Sequence, residues 1–256
     1  MIIKLQHTYY HGQVFKKLRK EMCMVPLWVF FASLIGLSIG GFLAVLLVGL
    51  KHNQSNVILF SGGMILGILF LEIIPEALSE NHILLLIGII ISIAMYLLIH
   101  DLLSRVEFIQ QKSNNSKLLK TGLVIAASLL VHNFPLGVTA SNHLLEGSGT
   151  FLLAVLIHNI PEGIILVTPL LSAGLPFFKV FGLIVSLAIP TTIGAFWSIN
   201  EIGVESVMQV VFLGVSIGML LSVALTEMII PYIKEGGNVF SFIMLLLGFF
   251  LIYTLF

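Results

Sequence analysis

Two segments, His132-Asn133-Phe134-Pro135-Leu136-Gly137 and His158-Asn159-Ile160-Pro161-Glu162-Gly163, share the frame HNxPxG, each midway along a strongly apolar stretch. Ionisable groups at such depth cost about 2.5–3.5 kcal/mol apiece on insertion scales, so a cluster of them marks a functional site. Imidazole combined with carboxylate is the donor set that a late divalent metal prefers. His158 and Glu162 stand at i and i+4, on one helical face. The residues therefore point to a divalent-cation site built from the two His-Asn pairs, His132-Asn133 and His158-Asn159, with Glu162 one turn away.

Positioning that group requires helices in a membrane. Hydrophobic residues make up 58% of the chain and charged ones 9%, with a mean hydropathy of +1.12, far from any soluble domain. The fold class is all-α, a polytopic membrane protein whose obligatory partner is the lipid bilayer. Zero formal net charge gives no footprint for nucleic acid. The single cysteine, Cys23, excludes an internal disulfide framework and a thiolate metal cage.

A bilayer core needs about 20 apolar residues per helix. By that measure eight spans are expected, at 26–50, 56–78, 83–103, 118–145, 148–172, 177–198, 207–233 and 238–255. Residues 1–25 are expected to form a basic N-terminal tail, and 26–256 a single eight-helix transmembrane domain. The tail with its apolar sequel imitates a signal peptide, but 26–50 is too long for a signal core and reads as the first span. Only 104–117 looks like a real hydrophilic loop.

Beyond the tail, Lys51, Arg105, Lys112, Lys117, Lys120, Lys179 and Lys234 all fall on one side of this topology. The opposite loops hold Glu80, Glu146, Glu201 and Glu205 instead. The positive-inside rule then places both termini outside the cytoplasm, although the tail's own lysines and Arg19 argue the other way. Helices 4 and 5 run antiparallel, joined by a turn near Glu146-Gly147-Ser148-Gly149, so their matching HNxPxG breaks reach similar depth. Such a pair suggests a pseudo-symmetric inverted repeat around helices 4 and 5, a common plan among transporters. Pro135 and Pro161 each remove a backbone donor at this depth, which is tolerated where the backbone is buried or lines a cavity. The glycines of 36–41, with Gly62, Gly63 and Gly67, read as close helix contacts.

These motifs resemble the ZIP family of divalent metal transporters, whose fourth and fifth helices carry HNxxEG-like and HNxPEG-like segments. The stretch Phe70-Leu71-Glu72-Ile73-Ile74-Pro75-Glu76-Ala77 resembles the family's second-helix pattern, with Glu72 where histidine is usual. Leu225-Thr226-Glu227-Met228-Ile229-Ile230-Pro231 resembles the seventh-helix region, and Ser186-Leu187-Ala188-Ile189-Pro190 with Gly194-Ala195 the sixth. The resemblance implies a divergent, prokaryotic-type member in the plasma membrane, a homodimer as its assembly, and transport rather than enzymatic activity. It implies zinc as substrate, with iron, manganese or cadmium as alternatives, and no resident cofactor.

Two departures bear on the same feature. Leu136 and Ile189 occupy places where family members carry carboxylates shared with a second metal, so a single-metal site is expected. Glu72 and Glu76 are candidates for an entrance station, with Glu72 able to replace charge lost at position 136. Glu227 is the candidate exit contact, beside a Thr226 that stands where a stronger ligand is common. His100-Asp101 and His143 are weaker candidates, read as solvated or packing residues. Two other readings remain open at this point: a ZIP-like protein that binds metal without transport, and an intramembrane metal-dependent hydrolase, for which an HExxH segment is lacking.

Overall fold

The computed structural model describes residues 2–49, 54–106, 114–145, 150–200, 206–234 and 239–255. Side chains are described from Met24 onward, except those of Glu76 and a few helix-end residues. The linker at 146–149, together with Lys51, Lys112, Glu201 and Glu205, lies outside the described residues.

Among the described residues the chain is helical throughout, with no strand. The helices are α1 (Ile2–Gly49), α2 (starting at Gln54–Ile68), α3 (His82–Ser104), α4 (Asn114–Leu145), α5 (Phe151–Ser172), α6 (Phe177–Asn200), α7 (starting at Ser206–Val223) and α8 (Val239–Leu255). Both α2 and α7 widen into a π-helical segment, over Leu69–Ile73 and Ala224–Ile229, before resuming as Ile74–Ala77 and Ile230–Lys234. Seven helices are long and apolar enough to cross a membrane, and Val239–Thr254 is a shorter apolar eighth. The polytopic architecture anticipated above is thus present. The first helix also takes in the basic tail, since α1 is continuous from Ile2.

Local sequence explains the helix ends that are seen. Asn81 caps α3, its side-chain oxygen accepting from the amides of Ile83 at 3.0 Å and Leu84 at 3.3 Å. At the end of α5, Gly174 takes φ 87°, while Leu175 N–H donates to the Leu170 carbonyl and Gly174 N–H to that of Leu171. That Schellman closure, followed by Pro176, stops the helix.

Four helix pairs dominate the packing: α1 with α5, α6 with α4, α2 with α8, and α7 with α3. Exchanging α1, α2, α3 and α4 with α6, α7, α8 and α5 maps each pair onto another, and the two π segments exchange as well. This is the packing expected of an inverted repeat. Glycine makes each contact possible. A Cβ at Gly40 would lie 2.0 Å from the Ile160 carbonyl oxygen, one at Gly137 1.9 Å from that of Thr191, one at Gly63 2.0 Å from that of Leu245, and one at Gly88 2.2 Å from that of Val211. In a membrane, where lipid is as apolar as any side chain, such close backbone approach is a main source of association. Large exposed side chains concentrate on the outside, as on α3, where Ile83, Ile90 and Leu97 face outward.

Candidate metal centre

α4 and α5 carry their histidines into the centre of the bundle. Each helix continues through its proline, Pro135 or Pro161. His132, His158 and Glu162 are buried and converge, so that one ligand atom from each lies within 4.8 Å of the others. The Nε2 atoms of His132 and His158 are 3.3 Å apart, and their rings are stacked at an interplanar angle of 11°. Glu162 Oε1 lies 3.2 Å from His132 Nε2 and 3.5 Å from His158 Nε2.

These separations have a chemical meaning. Two nitrogens bound to one zinc at 2.0–2.1 Å in tetrahedral geometry stand about 3.3 Å apart. The three edges measured here are therefore those of donors that can share one first-row dication. Two facing imidazole nitrogens cannot both carry protons, so a proton or another cation must fill the space between them. Neither oxygen of Glu162 accepts an aligned hydrogen bond, although the side chain is only 1% exposed. An ionised carboxylate left in that state is costly.

Surrounding groups orient the ligands. Ser216 Oγ on α7 is 2.6 Å from His132 Nδ1, so with Nε2 turned to the centre the hydroxyl can receive the Nδ1 proton. Glu72, in the π segment of α2, brings Oε2 to 3.9 Å from His158 Nδ1. Glu72, read from the sequence as an entrance candidate able to replace the charge missing at position 136, lies beside the central group, 28% exposed. The side chain of Glu76 lies outside those described.

The asparagines are anchored to backbone. Asn133 Nδ2 donates to the Leu187 carbonyl at 2.9 Å, leaving its buried Oδ1 unpartnered. Asn159 Nδ2 donates to the Val155 carbonyl at 2.8 Å, and its Oδ1 accepts from Ser33 at 3.1 Å. Ser33 also contacts Thr191 of α6 at 3.4 Å. Ile189 is 47% exposed, whereas Thr191 is fully buried and turned toward this network. Sequence spacing around Pro190 did not reveal which side chain faces inward.

Glu227 lies apart from the centre. Its carboxylate accepts from Tyr96 Oη at 2.8 Å and from Thr121 Oγ1 at 3.0 Å, and Tyr96 also pairs with Thr226. The weaker candidates have other partners. His100 Nε2 is 3.0 Å from the Lys120 ammonium, Asp101 pairs with Arg105 at 2.8 Å, and His143 stacks on Phe151. Ser216, Tyr96 and Thr121 were not foreseen, because an isolated hydroxyl in an apolar helix belongs to no motif.

Comparison with known proteins agrees with this chemistry. No match was found among curated proteins. A family model described as ZIP zinc transporter matches residues 107–255, more than half of the chain and the part that carries His132, His158, Glu162 and Glu227. The chain belongs to the ZIP zinc transporter family.

Proposed function

We propose that the protein carries a divalent cation, zinc foremost, into the cytoplasm through a single site made by His132, His158 and Glu162. The observation that carries this reading is the unsatisfied Glu162 carboxylate facing two imidazole nitrogens at 3.2 and 3.5 Å. A dication there completes every donor at once. Glu72 adds a second negative charge beside His158, which offsets the carboxylate missing at Leu136 and makes the loaded site neutral. The buried Oδ1 of Asn133 is a further neutral donor, and Asn159 supports the wall with Ser33. The nitrogen and oxygen donor set favours zinc over manganese or iron, with cadmium as a competitor on the same chemistry.

In this reading the ends of helices bearing Arg105, Lys117, Lys120, Lys179 and Lys234 face the cytoplasm of a prokaryotic cell, and both termini lie outside. Glu76 belongs to the entrance and Glu227 to the exit. All three central ligands come from one chain, so the mechanism holds for a monomer and for the homodimer implied by the family resemblance. Alternating access follows from rocking of the inverted halves about the site.

Zinc accumulation in zinc-starved cells tests the reading. Wild type should exceed the empty vector severalfold, and Glu162→Ala should fall to the vector level at equal expression. Equal uptake by both proteins would remove Glu162 from the mechanism. Leu136 keeps a second reading in play, a protein that binds zinc but does not move it. It would show as zinc bound to the purified chain without any uptake.

A further inference from the structure

We propose that Tyr96 and Thr121 form a latch on Glu227 that closes the exit side of the transport path. The inference rests on the transport reading above but concerns a different part of the bundle. Among its described residues α3 buries only Gly88, Ser92 and Tyr96, a stripe at four-residue spacing that runs down its contact with α7. The stripe changes character along its length. A Cβ on Gly88 would lie 2.9 Å from the Gly214 Cα, and one on Gly218 1.9 Å from Ser92 Oγ. Backbone therefore meets backbone at the first position, and at the second the small Ser92 side chain fills the space over Gly218.

At the third position a whole phenol ring stands between the helices, opposite the π segment of α7. Closure there depends on polar contacts rather than on apposed backbone. One carboxylate ties three helices: Tyr96 from α3 and Thr121 from α4 donate to opposite oxygens of Glu227 from α7. Tyr96 and Glu227 are 4% and 8% exposed, so the bond between them is buried, whereas the Thr121 bond is half-buried.

The tie lies on the line from the central site to the exit. Thr121 precedes His132 by eleven residues on α4, about 16 Å at 1.5 Å per residue. Ser128 falls between them on the same face, buried, with its hydroxyl unpartnered. A glycine seam at one end and a breakable tie at the other let α3 and α7 part like a hinge. The π segment supplies local slack, a frequent property of such segments at functional positions. A dication reaching Glu227 competes with the two hydroxyls for the carboxylate, so the cargo itself releases the latch. Tyr96 and Thr121 are positioning residues that act through Glu227.

The test uses the full chain in proteoliposomes, with Cys23→Ser to remove the only native cysteine and Ser128→Cys as the reporter. A membrane-impermeant maleimide is applied separately from each side, without metal. Tyr96→Phe and Thr121→Val each delete one donor while keeping side-chain bulk. Labelling from the Lys120 end should rise about tenfold in either variant, the change expected from losing one hydrogen bond to a charged group. Labelling from the opposite end should stay at the reference rate, as should labelling in Tyr253→Phe, a change on the lipid-facing surface. Should Tyr96→Phe fail to give monodisperse protein, Thr121→Val carries the test. Reference-rate labelling in both variants, or an equal rise from both ends, would overturn the latch. The assay requires no cargo, so an absence of zinc uptake by wild type would count against the transport reading and not against this one.

Discussion

Glu162 and Glu227 are two carboxylates buried in the same bundle, one 1% and the other 8% exposed, yet the protein treats them in opposite ways. Both oxygens of Glu227 accept from hydroxyl groups. Neither oxygen of Glu162 accepts an aligned hydrogen bond, and its neighbours are imidazole nitrogens aimed at a common point. A buried charge satisfied by neutral donors holds structure. One left unsatisfied beside metal-preferring donors is suited to hold a cation. Burial alone does not distinguish the two carboxylates; the count of donors already engaged does.

The contrast can be broken by making the same change at both positions. Glu162→Gln should weaken zinc binding to the purified chain by about a hundredfold or more, since breaking one partner out of a buried charged group costs ~3–5 kcal/mol. Glu227→Gln should leave equilibrium affinity at the centre close to the wild-type value. Isothermal titration of both variants checks this, and similar losses in each would mean that the two carboxylates serve one site.

A smaller effect sharpens the account of the centre. Ser216→Ala removes the hydroxyl that fixes His132 and should cost about tenfold in zinc affinity, at the low end for loss of a group that orients a ligand. Ser216→Thr should restore most of it. Wild-type affinity in the alanine variant would show that packing alone sets the ring.

Much of this arrangement was legible in the sequence, for physical reasons. Apolar runs of membrane-spanning length gave the helices to within a few residues, apart from the start of α1, because a helix satisfies its own backbone in lipid. The repeated HNxPxG frame gave the His132, His158 and Glu162 group, because helical spacing and antiparallel connection leave few alternatives. Beyond these motifs the reading was less complete. The π segments of α2 and α7 were not foreseen, because a widened turn inside an apolar helix leaves no mark on hydropathy. Tyr96 looked like any aromatic residue of a lipid-facing helix, since its partner Glu227 is 131 positions away. Ile189 and Thr191 differ by two positions, and only packing of α6 on α4 shows that Thr191 turns inward.

Zinc-edge X-ray absorption on the purified, zinc-loaded full chain tests the central claim most directly. The account predicts a first shell with two imidazole nitrogens at about 2.0–2.1 Å and carboxylate oxygen at about 2.0–2.2 Å, with one imidazole lost in His158→Ala. A first shell without imidazole, or a spectrum that His158→Ala leaves unchanged, would contradict it.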